Sequence, residues 1–208
     1  MDHLISESAS EPIGHPGTVH VMIDLETWGT LPGSALRSIG AVTFSPYGDC
    51  HTEQSFYANI DRASCEAVGL NINPETERWW EGQSFEAQNR LFENCRPLRD
   101  VVHDFAIWWQ TIQGTYVWSN GANFDEVLWR IAADRVDHGT PWKYWNVRDT
   151  RTCWHLARLN PKAVRFEGVQ HDAIADARHQ AKCVTRAYSM LNIGPGQADQ
   201  RSRATIDA

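Results

Sequence analysis

A chain of 208 residues, 42% hydrophobic and 22% charged, is long enough to bury one sizeable core and too short for two ordinary domains; globally disordered and fibrous classes are excluded. The net charge of −7 excludes a broad basic face for nonspecific nucleic-acid binding, yet permits a small site where bound cations reverse the local sign. No apolar run approaches the roughly 20 residues of a membrane span, and the N-terminus has neither a basic start nor an apolar stretch, so a cytoplasmic protein with no membrane partner is expected.

Residues 1–17 are polar and aperiodic and are expected to form a flexible arm. Strands follow over VHVMIDLET (19–27), SIGAVTFSP (38–46) and EQSFYANI (53–60), the last two separated by the turn-like PYGDC. In NPETERWWEGQ (73–83), Asn73 can cap a helix and Pro74 can take its first position; SFEAQNRLF (84–92) is a second helical stretch. Trp79 and Trp80 are read as packing residues. Helical spacing of Leu98, Val101, Val102, Phe105, Trp108 and Trp109 predicts a helix with one apolar face. TYVWSN reads as a short strand, FDEVLWRIAADRV as a helix, and WNVRDTRTCWHLARL as a strand end running into a helix. A long helix over HDAIADARHQAKCVTRAYSML closes the domain (18–193), and 194–208 form a polar tail. Strands first, then strands alternating with helices, imply an α/β fold with a mixed central sheet and helices on its faces. The five cysteines are odd in number and lack a C-x-x-C pair, so they are read as free thiols. Most of the 10 tryptophans are assigned to the core.

Asp24 and Glu26, two apart in the first strand, project to the same face. Two adjacent carboxylates repel unless a cation lies between them; exposure at an edge or an arginine partner would also account for the pair. Asp125 falls in the first turn of a helix, where the dipole alone favours it, but it follows the turn-rich SNGAN at a strand end, where functional groups gather. In HDAIADARHQA, Asp172 is a helix cap, and Ala173, Ala177 and Ala181 make a smooth face for close approach to a sheet. Asp176 lies beside that face and needs partners or a metal; His171 stands at the helix mouth, as an exposed cap residue or a functional base. Together, four acids suit hard divalent cations, which prefer oxygen ligands, and a histidine suits proton transfer near neutrality.

DLETWG, SNGANFD and the H-x4-D of HDAIAD resemble the three motifs of the DEDDh 3′-5′ exonucleases, whose fold is ribonuclease H-like. The features DLETWGTLPGSALRSIGAVTF, NPETERWW, YVWSNGANFD, WNVRDTRT and HDAIADARHQA are most similar to the branch of phage DexA-type exonucleases and mycobacterial ribonuclease T-like exoribonucleases. The resemblance implies metal ligation by Asp24, Glu26, Asp125 and Asp176, two Mg2+ or Mn2+ ions, and His171 as general base. It also implies release of nucleoside 5′-monophosphates from single-stranded DNA or RNA 3′ ends, with DNA taken first, and pairing as a homodimer. Thr27, Trp28, Gly29, Arg148 and Arg151 are the candidate substrate contacts; Trp28 is either a stacking platform or a core residue, and Asp149 is read as structural. A non-catalytic nucleic-acid-binding module and a ribonuclease H-like endonuclease are the alternatives.

Overall fold

The computed structural model describes residues 18–195 except 51, 53 and 91; the expected arm and most of the expected tail lie outside these residues. Five strands, β1 (Val19–Thr27), β2 (Leu36–Phe44), β3 (Ser55–Asn59), β4 (Gly114–Ser119) and β5 (Val147–Asp149), form one sheet in the order β3-β2-β1-β4-β5. The β1–β2 and β2–β3 pairs are antiparallel, and β4 and β5 continue parallel to β1. The expected mixed sheet is therefore present. With β1 at its centre, side chains on both strand faces are covered, which explains the nearly unbroken apolar run VHVMI.

Alternation along β1 sorts its side chains between two cores. Val21, Ile23 and Leu25 join the larger one with α4 (Leu98–Thr111) and α5 (Asp125–Arg135), where Phe105 and Trp129 are fully buried edge to face at 4.8 Å. Met22 joins the other with α6 (Thr150–Leu156) and α7 (Ala173–Met190). Asp24 and Glu26 share the parity of Met22 and so belong to the α7 side. Helices cover both faces, as expected. Seven of the 10 tryptophans are buried, and among the described residues no disulfide joins the cysteines, as expected.

The alanine face of α7 does what its small side chains permit. Ala173, Ala177 and Ala181 are fully buried, and β2 meets the helix at Gly40, where an added Cβ would lie 2.3 Å from the carbonyl carbon of Ala173. Only glycine fits this approach, and it sets the start of α7 against the strand beside Asp24, the Cα partner of Gly40.

Between β3 and α4 lie α1 (Arg62–Ala67), α2 (Pro74–Glu81) and α3 (Phe85–Arg90). The first has too few residues for a periodic signal and was not anticipated; Asp61 caps it by accepting from the Ser64 N–H at 2.8 Å. Asn73 caps α2 by accepting from the Glu75 N–H, as the sequence predicts. Among the described residues, no helix is long and apolar enough to cross a membrane.

Candidate active site

The carboxyl ends of β1 and β4 and the start of α7 converge, so acids 152 residues apart in sequence meet in space. Asp24, Glu26 and Asp176 each present a carboxylate oxygen within 4.8 Å of the others. Asp125 stands at the edge of this trio: its Oδ1 accepts from the Leu25 N–H at 3.1 Å, fixing the strand between the two β1 acids. The structure therefore brings together all four acids singled out by sequence.

Their protonation reflects confinement. Burial, compounded by the charges of Asp125, Glu26 and Asp176, raises the Asp24 carboxyl well above its usual range. Burial and the charge of Asp176 push Glu26 up to about 8, against the pull of Arg37. Burial also pushes Asp125 up to about 7, despite the Leu25 N–H, and raises Asp176, with the nearby His171 imidazole opposing. Four crowded oxygen donors with raised pKa values and no cationic side chain ion-paired to Asp24, Glu26, Asp125 or Asp176 among the described residues form a donor set suited to Mg2+ or Mn2+.

Gln180, absent from the sequence-based set, donates from Nε2 to Asp24 Oδ1 at 2.6 Å. The available signal was its spacing: Gln180 lies four residues after Asp176, on the same face of α7. His171 adopts φ +62° just before the helix, and its ring packs edge to face on Trp79 with centroids 4.9 Å apart.

Beside Glu26 opens a cleft of about 430 Å3 lined by Leu25, Thr27, Thr30, Asn73, Trp79 and Phe124, among others. Trp79 is 46% exposed and forms part of this wall, which corrects its assignment to packing; Trp80 is buried, as expected. Thr27 lines the cleft, with its hydroxyl donated to the Gly29 carbonyl at 2.7 Å. Gly29 itself packs tightly, since a Cβ would come within 2.5 Å of Ser34 Oγ.

The remaining candidate contacts are placed elsewhere. A register shift between Glu26 and Thr27 breaks the strand alternation, and Trp28 turns into the larger core, with the Arg37 guanidinium 4.0 Å from its ring centre. At 7% exposure it offers no platform to a base, so the stacking assignment is corrected. The Arg148 guanidinium lies over Tyr116 and donates to the carbonyls of Trp145 and Val147; these contacts hold the β5 edge, and its assignment as a phosphate contact is corrected. Arg151 donates to Asn120 Oδ1 at 3.0 Å, and its charge favours ionised Asp125. Asp149 is structural, as expected: it caps α6 at the Thr152 N–H and accepts from the Ala122 N–H.

A family model described as the Rv2179c-like 3′-5′ exoribonuclease domain matches residues 19–188. No protein of curated function matches the sequence. Among solved structures, E. coli exonuclease I in complex with a dT13 oligonucleotide superposes with a TM-score of 0.62 and 12% identity, over 84% of this chain and 42% of that one. The zinc-ion-bound form of the E. coli ExoI–ssDNA complex gives 0.54 and 12%, over 84% and 40%. The nuclease domain of 3′hExo, a DEDDh family member bound to rAMP, gives 0.53 and 11%, over 85% and 93%. At these identities the likeness establishes a shared ribonuclease H-like fold, and the chain spans less than half the length of exonuclease I.

Proposed function

The chain belongs to the Rv2179c-like 3′-5′ exoribonuclease domain family, and we propose that it is a DEDDh-type 3′-5′ exonuclease that releases nucleoside 5′-monophosphates from single-stranded RNA by two-metal-ion hydrolysis. The observation that carries this reading is the convergence of Asp24, Glu26 and Asp176 within 4.8 Å beside an open cleft of about 430 Å3.

Asp24, Glu26 and Asp176 would hold the divalent ions, with Asp125 in support. Ions bound there would supply positive charge against the phosphate and lower the pKa of the attacking water. His171 accepts the proton of that water at a ring nitrogen, a task for which imidazole basicity is suited. Gln180 fixes the orientation of Asp24 by its hydrogen bond. Trp79 and Phe124 give the cleft an apolar wall for the terminal base, while Thr30, Asn73 and Thr76 add polar groups for the sugar.

The sequence leans to DNA; the family's description as an exoribonuclease domain moves the proposal to RNA. A non-catalytic binding module is disfavoured because four confined carboxylates repel a polyanion. The test is a time course on matched 5′-labelled RNA and DNA single strands with Mg2+ or Mn2+, alongside Asp24→Ala. A ladder shortening from the 3′ end, faster on RNA and absent in the variant, is expected. Internal fragments or no cleavage of either strand would sink the proposal, and a faster DNA ladder would reverse the substrate assignment.

A further inference from the structure

We propose that Arg90 and Trp79 are positioning residues for His171, so that α2 and α3 act as a cap holding the general base over the acids. The inference rests on the reading of His171 as the base.

His171 is held in the left-handed region at φ +62°, where a non-glycine residue is strained and stays only if its surroundings fix it. Two contacts do so, one from each helix of the cap. The next residue, Asp172, is 4% exposed and caps α7 through the Ile174 N–H; its other oxygen receives Arg90 Nη1, at the end of α3, at 2.9 Å. From α2, the Trp79 ring meets the imidazole at 83° with centroids 4.9 Å apart.

The cap is itself anchored to the catalytic strand. Trp80 Nε1 donates to the Thr27 carbonyl at 2.9 Å, and its ring stacks on Arg37, which is sandwiched against Trp28 on the other side. Thus α2 is tied to the strand end carrying Glu26, and α3 to the backbone turn carrying His171. Removing the Arg90 cation leaves a buried carboxylate without its ion-pair partner, and that carboxylate gains by moving toward water. His171, bonded to it through one peptide, moves with it, and misplacing a reacting group by about 1 Å can cost on the order of 100-fold in rate.

Arg90 separates this role from substrate binding, because it does not line the cleft beside Glu26, whereas Trp79 does. Single-turnover rates on a single-stranded RNA would be measured for the wild type, R90Q, R90K, H171A and R90Q/H171A, with thermal melts as a check on folding. R90Q is expected to lose about tenfold or more in rate with KM within about twofold, R90K to recover most of it, and R90Q to cost nothing further in the H171A background. Asp172→Asn, which preserves the helix cap but not the charge, should reproduce the R90Q loss by a second route. Wild-type rates in both R90Q and Asp172→Asn, a loss confined to KM, or an undiminished R90Q loss in the H171A background would overturn the proposal. Full activity of H171A would instead overturn the underlying assignment of the base, and the proposal with it.

Discussion

Gln180 Nε2 donates to Asp24 Oδ1 at 2.6 Å, so a residue on α7 sets the orientation of an acid on β1. A ligand whose free oxygen is already aimed loses less freedom when a cation binds. Gln180→Ala should therefore lower activity or metal affinity by about 10–100-fold, the usual cost of losing a partner behind a ligand. Titrating Mg2+ in the nuclease assay checks it: the variant should need more metal, and an unchanged titration would remove Gln180 from the site.

The crowded acids also predict how the metal-free protein responds to pH. Glu26 at about 8 and Asp125 at about 7 bind protons more tightly folded than unfolded, so each contributes stability below its ordinary carboxylate pKa that is lost as pH rises through the folded value. Metal-free protein should thus lose melting temperature between about pH 5 and pH 8. Added Mg2+ or Mn2+ should raise it more at pH 8 than at pH 6, and Asp24→Asn should raise the metal-free melting temperature by a few degrees while abolishing activity. Scanning calorimetry at both pH values with and without metal decides; a flat metal-free profile and a destabilised Asp24→Asn would show that the acids do not repel.

The clustered acids were legible because their signals are local: alternation places Asp24 and Glu26 on one face, and the His171–Asp176 spacing lies within one segment. For Trp28 the sequence left both a stacking platform and a core residue open; the register shift after Glu26 turns it into the core, and nothing in DLETWG announces that shift. Neighbouring tryptophans on a helix point about 100° apart, so one of Trp79 and Trp80 was bound to differ in exposure, but which one depends on where α2 lies against β1. Arg148 looked like Arg151 in WNVRDTRT; its engagement with Tyr116 and two carbonyls depends on the sheet order, which no local pattern encodes.

Gly40 tests whether the close approach of β2 and α7 maintains the site. A methyl group there would lie 2.3 Å from the Ala173 carbonyl carbon and 2.4 Å from the Ile174 nitrogen, both backbone atoms that no rotamer change can clear. Gly40→Ala should cost about 1–3 kcal/mol or more in urea unfolding, as overpacking does. It should also reduce activity, because pushing the start of α7 outward moves His171 and Asp176 away from Asp24. Wild-type stability together with wild-type activity would show that the contact is slack.

His20 provides an acid-sensitive element outside the site. It is 3% exposed, accepts from Trp118 Nε1 at Nδ1 at 2.9 Å, and is ringed by Phe44, Tyr47 and Tyr116. Burial, with a smaller contribution from the Arg148 charge, lowers its pKa to about 4 from 6.5, so the folded state keeps it neutral where the unfolded chain would protonate it. The sign is opposite to that of the acids: its contribution is complete above about 6.5 and lost as pH falls through 4, amounting to about 3 kcal/mol over that window. His20→Phe sacrifices the Trp118 hydrogen bond equally at every pH but removes this dependence. The stability gap between wild type and variant should therefore narrow by about 3 kcal/mol from pH 7 to pH 4. Urea unfolding of both proteins across this range checks it, and a constant gap would mean that His20 does not resist protonation.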